Sequence, residues 1–289
     1  MLPDLTAITW VDIAVFVLCV SLSFFICCVN ILTILVVCQT SELRTYTNTY
    51  IVSLSVTDFI VGLELLPTSF FFLPPTKNSV FFRNIHLCLL LNGLNLGLPG
   101  TSIIHMFFIS VDRFIYITKP YVYQRLIKPK LIGACITFIW IFGISFSLLP
   151  QIVHNTQSDV CSPTIQFPIW YLFYSAWVVY FTSAFGILTM YTLILYAAFK
   201  QRKAIQLATG SLKGAQHISR STARSLKFFM TSFGVFFVCM TPIVICMAMD
   251  YFVSTPPVLY NCLVILGLSN SGMNFVIFAV QNKDFRRAL

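Results

Sequence analysis

The chain has 289 residues, of which 58% are hydrophobic and only 9% carry a charge. A soluble domain carries about 25% charged residues, so this composition excludes an ordinary soluble protein and is typical of a helical protein that crosses the membrane several times. The net charge of +9 would also suit a nucleic-acid-binding protein, but the basic residues are dispersed between apolar segments, which argues against that class.

Each apolar segment is long enough for one membrane helix, which needs about 20 residues. The segments predict an all-α fold, a seven-transmembrane helix bundle that occupies residues 1–289 as a single domain. The spans are expected at about 10–38, 46–72, 84–117, 128–150, 167–199, 221–252 and 258–281. Residues 282–289 predict a short amphipathic eighth helix on the membrane surface, with Phe285 and Leu289 on its apolar side.

The Lys and Arg residues are distributed unevenly between the two sides of the predicted bundle. Sixteen of the eighteen lie at or within the first, third and fifth connections or the C-terminal segment, and only Lys77 and Arg83 lie on the opposite side. Because cytoplasmic loops carry the excess of basic residues, the sixteen are predicted to be cytoplasmic and the N-terminus extracellular.

Two of the ten cysteines differ from the rest in their predicted location. Eight lie in or beside apolar runs, where Cys behaves as a small hydrophobic residue. Cys88 precedes Arg113 by 25 residues, about 37 Å along a helix, and so lies at the outer end of span three. Cys161 lies in the connection between spans four and five, on the same oxidising side, where disulfides persist. The topology therefore predicts a Cys88–Cys161 disulfide.

Seven short motifs follow one another along the chain. They are Asn30 in span one, Leu54–Asp58 (LSVTD) in span two, Asp112–Phe114 (DRF) in span three, Trp140 in span four, Pro242 in span six, Asn274–Phe278 (NFVIF) in span seven and Asp284–Arg286 (DFR) after it. In this order the motifs resemble those of the rhodopsin-like G-protein-coupled receptors. The segment TSIIHMFFISVDR, which ends at Arg113, is most similar to the trace-amine and serotonin branch, and the adenosine receptors come second.

The resemblance implies a receptor in the plasma membrane whose partners are the lipid bilayer, an extracellular small molecule (amine-like, or neutral and lipophilic) and a heterotrimeric G protein, with no nucleic acid. An enzyme is not expected, since the sequence holds no nucleophile–base set, phosphate-binding loop or metal motif.

The chain also departs from the family pattern. Met240 replaces the span-six Trp, Ser183 the span-five Pro, and Phe275 and Phe278 the Pro and Tyr of the NPxxY motif. These departures favour an alternative function, that of a non-signalling or decoy seven-helix protein. The retained Asp58, Arg113 and cysteine pair favour a signalling receptor.

By the resemblance, the ligand cavity lies in the outer half of the bundle. Its residues would be Asn95, Leu96, Pro99, Ser175, Val179, Met240, Ile243, Val244, Met247, Val264 and Leu268. Most are apolar, which suits a neutral or lipophilic molecule. Amine receptors have a charged Asp where Asn95 stands.

Glu64 is a second intramembrane acid, and such residues are functional candidates by default. It could supply the charge that Asn95 lacks, as the counter-ion of an amine; it could instead bond a hydroxyl or reach the interface. Glu64 follows Asp58 by six positions, about 240° around a helix, so the two acids are expected on different sides of span two.

A sodium pocket is a further implication of the resemblance. Its residues would be Asp58, Ser102, Asn270, Ser271 and Asn274. One carboxylate with hydroxyl and amide oxygens suits a small hard cation, which would act as an allosteric ion, and no cofactor is otherwise expected. The alternative is a hydrogen-bonded network around a neutral Asp58.

The G-protein switch is expected at Asp112, Arg113, Tyr191, Asn274 and Phe278. An Arg at a helix end can extend toward the bundle or turn to its neighbouring Asp. Many relatives hold this Arg with an acid in span six, but the matching position is Thr222, beside basic residues. Arg113 is therefore expected to have only Asp112 and water as partners, and the receptor to signal without ligand.

We predict that non-reducing peptide mapping will recover Cys88 and Cys161 in one disulfide-linked peptide. Cys88→Ser should lower surface expression, because the second outer connection loses its attachment to span three. Two free thiols in the mature protein would contradict the assignment.

Overall fold

The computed structural model describes residues 8–70, 73, 84–154, 167–209, 212–249, 253 and 255–289. In this part of the chain, seven helices are long and apolar enough to cross a membrane, and there is no strand. The predicted all-α, seven-helix fold is therefore confirmed, and the chain is a multi-pass membrane protein.

The seven spans are numbered in chain order. Spans one to four are Trp10–Gln39, Tyr46–Ser69, Ile85–Thr118 and Pro129–Leu148, the last extended by Pro150–Val153. Span five comprises Ile169–Leu172, a π-helical segment Phe173–Val179, and Tyr180–Thr209; spans six and seven are Leu212–Met249 and Pro257–Gln281. Two short helices complete the set: Pro120–Leu126, here the loop helix, and Lys283–Ala288, the C-terminal helix.

The C-terminal end of span five and the N-terminal end of span six extend further than the hydropathy predicts. Span five continues to Thr209 instead of 199, and span six begins at Leu212 instead of 221. Hydropathy marks only where the chain leaves the apolar layer of the membrane. The helix itself continues beyond that point, because residues such as Lys200 and Gln201 favour helical backbone.

Side-chain caps fix where several helices begin. Thr9 and Asp12 form a reciprocal capping box at span one, with Asp12 N donating to Thr9 Oγ1 (3.2 Å) and Thr9 N to Asp12 Oδ2 (2.9 Å). Thr45, Asn84 and Asn282 cap span two, span three and the C-terminal helix. Each cap supplies an acceptor to backbone N–H groups that have no partner within their own helix.

The C-terminal helix packs against the bundle more closely than its amphipathic pattern predicts. Phe285 is fully buried, and its ring centroid lies 4.4 Å from that of Phe278 in span seven and 5.9 Å from that of Phe275. Leu289 is exposed. Phe285 and Leu289 were both expected to face the membrane surface. Phe285 packs instead in the core of the protein, and only Leu289 remains exposed.

Spans three and four meet through small residues. A Cβ added to Gly93 or Gly97 would overlap atoms of Ser147, and one added to Gly143 would overlap Thr101. Small residues are how membrane helices bring their backbones into close contact. The glycines therefore set the distance between these two spans.

We predict that Gly93→Ala lowers the melting temperature of the purified protein in detergent, since overpacking a close contact typically costs about 1–3 kcal/mol. Gly100→Ala is the matched control, because it lies in the same helix and a Cβ there meets nothing within 4 Å. Removing a helical Gly should leave that control neutral or slightly more stable. Equal melting temperatures for the two variants would contradict the packing argument.

Candidate functional site

The C-terminal end of span three is organised around the carboxylate of Asp112, which is buried. Its Oδ2 accepts hydrogen bonds from Thr47 Oγ1 at 2.7 Å and from Arg113 Nε and Nη2 at 3.1 and 2.7 Å. Its Oδ1 accepts from Tyr123 OH at 3.0 Å. One carboxylate thus joins span two, span three and the loop helix.

Tyr123 donates to Asp112 as a neutral phenol. Burial, and then the negative charge of Asp112, raise the pKa of Tyr123 to about 12. The hydroxyl therefore keeps its proton at neutral pH, and the hydrogen bond does not depend on pH in the physiological range.

Arg113 is held by more than Asp112. Its guanidinium carbon lies 4.9 Å from the ring centroid of Tyr116 and 5.9 Å from that of Phe229 in span six. Span six, Leu212–Met249, contains no Asp or Glu, so its described contact with Arg113 is made by an aromatic ring and not by an acid. The expectation that Arg113 has only Asp112 and water as partners is incomplete in this respect. The Thr222 side chain lies outside the described residues.

An inner cavity lies between spans one, two, three, five, six and seven. Three predicted switch residues, Tyr191, Asn274 and Phe278, line it, together with Ser55, Ser232 and a set of apolar side chains. Tyr191 OH accepts from Ser110 Oγ at 3.3 Å, and the Phe278 ring lies 5.4 Å from Phe228 of span six. The structure therefore brings these three residues together around one cavity.

Asp58 lies fully buried between spans two, three and seven. Asn274 Nδ2 donates to its Oδ2 at 2.8 Å, Ser102 Oγ to its Oδ1 at 3.4 Å, and the Ser271 side chain also bonds to it. Asn270 Oδ1 is buried without a hydrogen-bond partner among the described residues. Three of the four other predicted residues, Asn274, Ser102 and Ser271, thus contact the Asp58 carboxylate.

These residues fit a small monovalent cation better than a transition metal. Among the described residues, no group of three or more His, Cys, Asp or Glu side chains is placed to hold a metal. The oxygens of Asp58, Ser102 and Asn270 are hard donors, as Na⁺ requires. Asn274 presents its amide nitrogen to Asp58, so it orients the carboxylate.

Glu64 lies near the outer end of span two, buried against Asn95 of span three. Its Oε1 accepts from Asn95 Nδ2 at 2.8 Å and from the hydroxyl of Thr68. The sequence suggested that Glu64 could supply the charge that Asn95 lacks, but the bond between them was not predictable, because it depends on how spans two and three rotate against each other. Thr68 was missed as well, although its place four residues after Glu64 puts it on the same helix face.

The remaining predicted ligand residues fall into separate packing groups. Val179, Met240 and Val244 belong to the main hydrophobic cluster, Val264 and Leu268 pack with spans one to three, and Leu96 packs toward Phe167 and Tyr171. Ile243 is buried, and Pro99 and Met247 are half-buried. The Ser175 side chain lies outside the described residues.

A further buried network joins spans two, three and four. Ser53 Oγ lies 2.9 Å from His105 Nε2 and accepts from Trp140 Nε1 at 3.0 Å. His105 Nδ1 lies 3.0 Å from the Thr101 carbonyl, which can only accept, so the proton is on Nδ1 and Ser53 donates to Nε2. His105 is therefore a packed residue that links spans two and three.

Cys88 is buried in the first turns of span three and is disulfide-bonded. Cys161 lies outside the described residues, so the pairing of these two cysteines stays a prediction. The eight other cysteines are free thiols.

The chain matches the sequence profile of the 7 transmembrane receptor family (rhodopsin family) over residues 29–278. It therefore belongs to that family of receptors.

Among similar proteins is the histamine H2 receptor of Cavia porcellus, 28% identical over 90% of this chain and 73% of that protein. Trace amine-associated receptor 7b of Rattus norvegicus is 27% identical, over 91% of this chain and 77% of that protein. Octopamine receptor beta-2R of Chilo suppressalis is also 27% identical, over 90% and 74%. The predicted resemblance to the amine branch is confirmed.

We predict that NaCl raises the melting temperature of the purified receptor relative to KCl, and that Asp58→Asn removes this difference. A bound ion stabilises by about 1.4 kcal/mol when its concentration is ten times its dissociation constant. Asp284→Asn is the matched control, because that carboxylate is exposed on the C-terminal helix. The same sodium response in Asp58→Asn and in wild type would show that the ion does not bind there.

Proposed function

We propose that this rhodopsin-family receptor lies in the plasma membrane with its N-terminus outside, binds an extracellular small molecule, and activates a heterotrimeric G protein. The bias of Lys and Arg toward the first, third and fifth connections supports this orientation. The similarity to receptors named for histamine, trace amines and octopamine supports an amine as the ligand class.

The Asp112–Arg113 pair is the observation that carries the proposal. The pair is held by Thr47, Tyr123 and the ring of Phe229, in an arrangement that keeps the guanidinium turned to its own helix. Because Phe229 belongs to span six, movement of that span removes one of these contacts. Arg113 is then free to meet a G-protein helix in a crevice beside the inner cavity.

A non-signalling protein is the second candidate, and Phe278 favours it. The Phe278 ring packs between Phe228 of span six and Phe285 of the C-terminal helix. These contacts fasten the inner ends of spans six and seven, and Phe278 has no hydroxyl with which to stabilise another arrangement.

We predict that the purified receptor stimulates nucleotide exchange on at least one G-protein class without ligand, and that Asp112→Asn raises this basal rate about fivefold. Asp112 is buried and Arg113 is partly exposed, so losing their ion pair is worth about 1 kcal/mol or more, and 1 kcal/mol corresponds to a roughly fivefold change in a two-state population. Thr222→Glu should lower the rate, because it supplies span six with an acid that can hold Arg113.

Asp284→Asn, at an exposed carboxylate on the same side of the membrane, should leave the rate unchanged. If Asp112→Asn behaves like this control at matched receptor amounts, Arg113 is not the switch. If wild type, Asp112→Asn and Thr222→Glu all fail to stimulate nucleotide exchange on every G-protein class, the result would favour the non-signalling candidate.

A further inference from the structure

Glu64 and Asn95 form a polar pair inside an apolar part of the bundle. Glu64 is only 5% exposed, and it accepts from Asn95 Nδ2 at 2.8 Å and from Thr68. Asn95 also donates to the Leu91 carbonyl at 3.2 Å. Glu64 follows Asp58 by six residues in span two, so the pair lies about 9 Å closer to the outer surface than Asp58 does.

Each residue of the pair keeps one oxygen without a hydrogen bond. Glu64 Oε2 and Asn95 Oδ1 are both buried and have no partner among the described residues. Glu64 Oε2 is the second oxygen of the carboxylate that accepts from Asn95, and Asn95 Oδ1 belongs to the amide that donates to Glu64. The two free acceptors therefore lie close to each other. Asn95 Oδ1 can only accept, and Glu64 Oε2 accepts when the carboxyl group is ionised. A buried acceptor without a donor is costly.

No positive side chain among the described residues pairs with Glu64; their ion pairs are Arg113–Asp112 and Arg287–Asp284, both at the cytoplasmic side. An acid at membrane depth is costly unless a partner compensates it. The group that fits Glu64 and Asn95 therefore carries a positive charge and at least two N–H donors.

The surroundings of the pair are apolar on the side of spans one and seven. Val61 and Leu98, one helical turn from Glu64 and Asn95, belong to a hydrophobic cluster with Leu268, and Val264 packs against that cluster. A charged end beside such a wall suits a molecule with an ammonium group and an apolar body.

We propose that Glu64 and Asn95 together form the cation subsite for the receptor's ligand, a primary or secondary amine whose ammonium donates to Glu64 Oε2 and Asn95 Oδ1 while its apolar part packs toward Val264 and Leu268. The charge that binds the amine then comes from span two, and Asn95 of span three orients it. This inference rests on the proposed small-molecule receptor function but does not require G-protein activation.

The test uses the purified full chain in lipid nanodiscs, with 2-phenylethylamine and histamine as probes and binding as the readout. Wild type should bind at least one probe, and Glu64→Gln should weaken that binding about thirtyfold or more, as expected when a buried charge partner is lost. Glu42→Gln is the matched control, since it makes the same chemical change at an exposed residue and should bind as wild type does.

Two further arms separate charge from shape. Glu64→Gln combined with Asn95→Asp returns a carboxylate to the same pair and should restore most of the lost affinity, which also shows that the single variant is folded. The N,N,N-trimethyl analogue of 2-phenylethylamine keeps the charge but has no N–H donor, so it should bind wild type at least about tenfold more weakly.

Unchanged binding in Glu64→Gln, equal affinity for the trimethyl analogue, or no binding of either probe to wild type at millimolar concentration would overturn the inference. Amine binding that depends on Glu64, without nucleotide exchange on any G protein, would instead overturn the proposed signalling function and leave the subsite standing.

Discussion

The bilayer offers no hydrogen-bond partners to the side chains that it surrounds, so polar residues in a membrane bundle must satisfy one another. In this receptor the requirement is met mainly between spans two and three. Asp112 accepts from Thr47, Asp58 accepts from Ser102, and Glu64 accepts from Asn95. Each pair joins the two spans at a different depth, from the cytoplasmic end to the outer half.

These three links make spans two and three a fixed frame. The Ser53–His105–Trp140 network ties span four to that frame, and the glycine contacts at Gly93 and Gly97 bring span four within backbone reach. Among the described residues of span six, Arg113 contacts the ring of Phe229. This ring can slide or separate from the guanidinium without leaving a buried charge unpaired. The contact between span six and Arg113 can therefore be broken at low cost.

Hydropathy was sufficient to predict the fold, because the fold depends on the length of the apolar segments. The order of the motifs was sufficient to predict the family and the grouping of Asp58 with Ser102 and Asn274, because these depend on residues at fixed positions within each helix. Counting around span two also placed Asp58 and Glu64 on different sides. It could not show that both sides are buried, which follows from the neighbours on either side of this span. The Tyr123 contact was not predictable either, since it depends on the path of the loop helix.

The π-helical segment Phe173–Val179 has a consequence for the outer half of span five. Tyr171 and Tyr180 are nine residues apart, and at 100° per residue an unbroken α-helix would direct them to opposite faces. A π turn inserts one extra residue into the helical repeat and reduces that angle to about 80°. Both rings are buried, and Tyr171 OH reaches the Phe146 carbonyl at 3.0 Å. The outer turns of span five therefore keep a different register from the inner ones, and the face that they present has to be counted from Pro168 inward.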